Sequence, residues 1–128
     1  MLYLIAIICG YVFYLFGILV HVLVIHKRLS FKWVNGGRSA SYEAQYKTSI
    51  MSVIILVVGL VLLLMYHLFP EFSKTIFGMI LMGILSLYWL MGFVMQLMGT
   101  TFEKKYMSPL LATGVFAHVV VFIHFFIS

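Results

Sequence analysis

The sequence predicts an all-α integral membrane protein: one antiparallel up-down bundle of four transmembrane helices, with both termini outside. Three observations lead there. Of the 128 residues, 65% are hydrophobic and only 9% charged, where a soluble domain carries about 25% charged residues. Four stretches lack Asp, Glu, Lys and Arg altogether: Met1–Ile25, Thr48–Pro70, Thr75–Phe102 and Tyr106–Ser128. They are roughly 25, 23, 28 and 23 residues long, and about 20 apolar residues cross the ~30 Å hydrocarbon layer. The basic residues, finally, are distributed very unevenly between the connecting segments. A chain this apolar is not a cytosolic enzyme, a disordered segment or a secreted disulfide scaffold.

Backbone polar groups in lipid must be satisfied within the segment, so each stretch is expected to be a helix. The expected spans are about 2–25, 48–69, 75–100 and 108–127, in a single domain 1–128. The first span lacks the basic leader and small-residue cleavage site of a signal peptide and reads as a retained helix. Its lone Cys9 has no disulfide partner and no zinc spacing around it.

Orientation follows from the basic residues. Lys27, Arg28, Lys32, Arg38 and Lys47 lie in the first connection, 26–47, and Lys104 and Lys105 in the third; the second holds Lys74 beside Glu71. The first and third connections are therefore expected in the cytoplasm, which fits a bacterial cytoplasmic membrane. The net charge of +5 is this asymmetry and implies no nucleic-acid partner. Within 26–47, Asn35-Gly36-Gly37 signals a turn, with Phe31 and Trp33 expected at headgroup level. Ser39–Lys47 reads as a cytoplasmic extension of the second helix, with Glu43 four residues before Lys47. Ser108-Pro109 reads as an N-cap and first helical residue.

In lipid, hydrophobicity does not separate the inner face of a helix from the outer one, whereas small and hydrogen-bonding residues do. On the first span Tyr3, Gly10, Tyr14, Gly17 and His21 fall within an arc of about 60° at 100° per residue. Ile7 and Val24 complete a seam with steps of three and four. The second span repeats it with Ser49, Ser52, Leu56, Gly59, Leu63 and Tyr66. The third carries Gly78, Leu85, Trp89, Gly92, Gln96 and Gly99, the fourth Met107, Leu111, Gly114, His118, Val121 and Phe125. This alternation is that of left-handed helix packing. Leucine at Gly17 or Gly92 should accordingly disturb packing more than at Val57.

By helical rise, His21, Ser49, Ser52, Gln96 and Gly99 fall in the cytoplasmic half and Tyr14, Trp89 and His118 near the midplane. Tyr3, Tyr66 and His67 fall towards the outside. Buried polar groups need partners, so His21 is expected to reach Ser49, Ser52 or Gln96. Tyr14, His21, Ser52, Trp89, Gln96 and His118 would line any internal pocket for an apolar ligand.

Of the five histidines, His67, His118 and His124 are the candidates for ligating a haem b, the sharpest alternative. Bis-histidine ligation needs matched depth and opposed faces. His118 lies about 13 Å deeper than His67 by helical rise, and His124 about 100° off its seam. The methionines of the third span form no continuous ladder for copper. No carboxylate lies within a span, as ion coupling would want. No metal site, catalytic set or nucleotide loop is legible.

The segment Glu43-x-x-Tyr46-Lys47 resembles, over about five residues, the membrane glutathione-transferase and eicosanoid-synthase family. Met51 stands where that family expects Asn, and the third span has no Arg. The resemblance implies a transferase acting on a lipid-like substrate near the cytoplasmic face. The residues themselves point first to an accessory, regulatory or assembly subunit, or to a binder of an apolar ligand, without a catalytic centre of its own. A haem- or quinone-handling protein is the alternative. The expected partners are the lipid bilayer and a larger membrane complex or further copies of the chain.

Overall fold

The computed structural model describes residues 1–34, 39–98 and 107–127. The expected Asn35-Gly36-Gly37 turn, Arg38, Gly99, Glu103, Lys104 and Lys105 lie outside the described residues, as does the side chain of Trp33. The described residues are helical, without strands, and include four helices long and apolar enough to cross a membrane. These are α1 (Leu2–Ile25), α2 (Tyr42–Leu68), α4 (Ile76–Leu97) and α5 (Ser108–Ile127); α3 (Pro70–Ser73) is a single turn. Helix α1 packs on α2 and α5, and α4 packs on α5, whereas α2 and α4 are not among the closely packed pairs.

Each boundary has a local cause. Helix α1 ends in a Schellman arrangement: Arg28 N–H donates to Leu23 O at 2.8 Å and Lys27 N–H to Val24 O at 3.0 Å. Lys27 takes the left-handed conformation this requires, φ 58°. A side chain in that region is disfavoured, and the Lys27 ammonium is held 4.5 Å from the centre of the Tyr42 ring. The Tyr42 hydroxyl donates to Ile25 O, so one tyrosine joins the end of α1 to the start of α2. Helix α2 starts early, as the extension expected from Ser39–Lys47 requires. Its N-cap is Ser41, whose side chain accepts from Ala44 N–H at 3.2 Å, with Glu43 in the first turn. Pro70 opens α3. Thr75 caps α4, accepting from Gly78 N–H at 3.0 Å. The Tyr66 hydroxyl donates to Gly78 O, tying α2 to α4 near that turn.

The cap expected at the fourth helix is corrected. Ser108 is the first residue of α5, and its buried hydroxyl makes no hydrogen bond among the described residues. The helix begins one residue earlier than a serine cap allows, so the hydroxyl does not reach the first-turn amides.

The core is built from the expected seams. Ile7, Gly10, Tyr14, Gly17 and Val24 of α1 are buried, as are Ser49, Leu56, Gly59, Leu63 and Tyr66 of α2. On α5 the buried set includes Gly114, His118, Val121 and Phe125. The glycines let large side chains approach the backbone. A Cβ on Gly59 would lie 2.5 Å from Tyr14 Cε1, and one on Gly114 2.7 Å from the Phe13 ring. Helix α4 departs from expectation at one end. Gly78 and Trp89 are buried with Met82 and Ser86, but Leu85, Gly92 and Gln96 are only partly so. At Gly92 a Cβ would meet only Leu111, at 3.6 Å. Gln96 borders a cavity that α2 lines from the other side and to which α1 and α5 also contribute residues. Met91, Met95 and Met98 are exposed, as lipid-facing residues would be, while Met82 is a core residue.

Candidate functional site

Two polar clusters lie in the apolar interior, one on each side of Trp89. The first links α1, α4 and α5. Trp89 Nε1–H donates to the Tyr14 hydroxyl oxygen at 3.0 Å, and that hydroxyl lies 2.7 Å from His118 Nε2. His118 Nδ1 lies 2.7 Å from Gly114 O. The ends of this chain fix its direction, because an indole N–H only donates and a carbonyl only accepts. The His118 proton is therefore on Nδ1, and Tyr14 donates to Nε2. Every polar atom of the three side chains is used, which is what low-dielectric burial demands. Phe13 packs edge-on to Trp89 with ring centres 4.8 Å apart.

The second cluster lies towards the Tyr42 end. The Ser39 hydroxyl donates to Gln45 Oε1, and Gln45 Nε2 donates to Ser49 Oγ at 2.9 Å. Ser49 Oγ lies 3.0 Å from His21 Nδ1. Gln45 and Ser49 are fully buried. The pairing of His21 with Ser49 is the first of the three expected from the sequence. Gln45 was not anticipated, although it lies four residues before Ser49 and so on the same helix face.

Between the clusters is the cavity, of ≈ 110 Å³. Its walls include His21 from α1, Ser52 and Ile55 from α2, and Tyr88, Trp89 and Gln96 from α4. Four of the six expected pocket residues therefore line one space. Tyr14 and His118 do not; they form the hydrogen-bonded floor beneath Trp89. Phe13 and Tyr88 are wall residues that the sequence did not mark, since large side chains look alike on lipid-facing and inner faces.

The haem candidates are not brought together as an axial pair in any of these contacts. Both ring nitrogens of His118 are engaged. His124 stacks on Tyr3, ring centres 4.2 Å apart, and His67 stands edge-on to Tyr11 at 6.2 Å. His26 Nδ1 bonds the Val22 carbonyl at 2.9 Å, at the end of α1. Among the described residues no three His, Cys, Asp or Glu side chains gather to hold a metal ion. Glu43, Tyr46 and Lys47, the residues of the transferase resemblance, share a surface hollow with Tyr42.

The chain matches no known family model, no curated protein and no solved structure.

Proposed function

We propose that the protein is an integral membrane protein that binds a small apolar ligand in the cavity between α2 and α4, as an accessory or regulatory subunit without chemistry of its own. In this reading the long helices run up and down across the bilayer. The connections rich in Lys and Arg face the cytoplasm, both termini lie outside, and the membrane is the cytoplasmic membrane of a bacterium. The charge distribution supports the orientation. The close pairs α1–α2, α1–α5 and α4–α5 suit neighbouring helices around a ring.

The observation that carries the binding role is the cavity itself. Its ≈ 110 Å³ is of the order of the ~150 Å³ apolar space known to take up benzene. The wall combines aromatic rings with a few polar groups, the usual constitution of a ligand site. Both α2 and α4 line it and are not among the closely packed helix pairs, which gives an amphiphile a route from the bilayer.

Thermal unfolding of the detergent-purified protein with decylbenzene tests this. A ligand that binds only the folded state raises its stability with concentration. Decylbenzene is expected to raise the midpoint in the parent but not in Ile55→Trp, in which indole occupies the cavity. A parent that does not respond, or a variant that responds equally, contradicts the reading.

A further inference from the structure

The chemistry of the ligand can be narrowed, resting on the binding role above, from the direction of the second polar cluster. Ser39 donates to Gln45 Oε1, which orients the amide so that its nitrogen donates to Ser49 Oγ. Ser49 then has one proton to give, and His21 Nδ1 is its remaining partner at 3.0 Å. With that remaining Ser49 proton given to Nδ1, neutral His21 holds its own proton on Nε2. His21 Nε2 has no protein partner among the described residues, and His21 lines the cavity. Ser52, one helical turn beyond Ser49, lines the same space, and its hydroxyl likewise makes no hydrogen bond among the described residues. The cavity wall thus carries an imidazole and a hydroxyl beside the rings of Phe13, Tyr88 and Trp89.

We infer that the ligand is a neutral molecule bearing a carbonyl on a single ring with an apolar tail, its oxygen accepting from His21 Nε2–H. The volume admits one ring, the aromatic walls present faces and edges to it, and the tail leaves between α2 and α4. A cationic or donor-only headgroup meets the wrong side of the imidazole. Membrane-soluble quinones belong to this chemical class.

The test compares 4-decylacetophenone, decylbenzene and methyl laurate by the concentration that half-saturates thermal stabilisation. The ring ketone is expected to act at about tenfold lower concentration than decylbenzene, the gain from one hydrogen bond. His21→Phe is expected to abolish that advantage while still responding to decylbenzene. Equal potency of ketone and hydrocarbon in the parent overturns the inference but leaves the cavity as an apolar site; no response to either overturns both. Methyl laurate acting as well as the ketone overturns the ring. Should His21→Phe fail to fold, nitrogen NMR of the parent, with histidine labelled, decides the tautomer. A proton on Nε2 of His21 is expected, and one on Nδ1 overturns the inference.

Discussion

Gly59→Ala and Gly114→Ala are expected to lower stability in detergent far more than Gly92→Ala, although each adds one methyl group to an apolar helix. At Gly59 the new Cβ would lie 2.5–2.7 Å from Tyr14 Cε1, Oη and Cζ. The ring must move, and the hydroxyl that joins Trp89 to His118 moves with it. At Gly114 the methyl would press on Phe13, 2.7–2.8 Å from Cγ and both Cδ atoms. Phe13 is buried, so its ring can yield only towards the cavity it lines, at the expense of its edge-on contact with Trp89. Overpacking of this kind costs about 1–3 kcal/mol, and at Gly59 the disturbed hydrogen bonds add to it. Gly92→Ala meets only Leu111 at 3.6 Å, ordinary contact, and should fall within about 0.5 kcal/mol of the parent. Thermal midpoints in one detergent check all three. The expectation from the sequence is that leucine at Gly17 or Gly92 disturbs packing more than at Val57; at Gly92 a single methyl group meets only Leu111, because the end of α4 that carries it borders the cavity.

Tyr14→Phe is the second large effect. The ring and its packing remain, but Trp89 Nε1–H and His118 Nε2 both lose their partner. Each buried group left stranded costs about 1–3 kcal/mol. Tyr11→Phe, on the same helix, removes a hydroxyl that makes no hydrogen bond among the described residues and is expected to be close to neutral. A double variant, Tyr14→Phe with His118→Leu, should cost less than the two single changes together, because each exposes the same lost bond. Strict additivity in denaturation or thermal unfolding would show that the three side chains do not act as one network.

The inner faces of these helices were legible because lipid removes the usual signal and leaves another. A leucine is equally at ease against acyl chains and against a neighbour, so the positions of Gly10, Tyr14, Gly59, Tyr66, Gly114 and His118 carried nearly all the information. Each is buried where the seam placed it. The same argument explains what was missed. Phe13 is as central as Tyr14, yet its apolar ring gave no hint of which way it faces. Gln45 read as part of a solvated extension, because its burial depends on Ser39 folding back over it. The cavity was out of reach for a different reason. Gln96 and Gly92 sit on the expected side of α4, but a wheel records angle and not the distance between helix axes. Where a cavity opens between α2 and α4 is set by the bulk of side chains from all the neighbouring helices. The Ser108 hydroxyl, which makes no hydrogen bond among the described residues, shows the same limit at a helix start, where one residue of register decides whether a cap forms.

Lipid-phase carbene labelling of the protein in liposomes, read residue by residue by mass spectrometry, tests most directly whether small and hydrogen-bonding residues mark the helix contacts. Ile54, Leu87 and Met91 are 53%, 62% and 65% exposed, whereas Tyr14, Leu63 and His118 are 0% exposed. The first three are expected to take up label heavily and the second three to remain unlabelled. Labelling of Tyr14 or His118 at the level of Met91 would contradict the packing on which the cavity and both polar clusters depend.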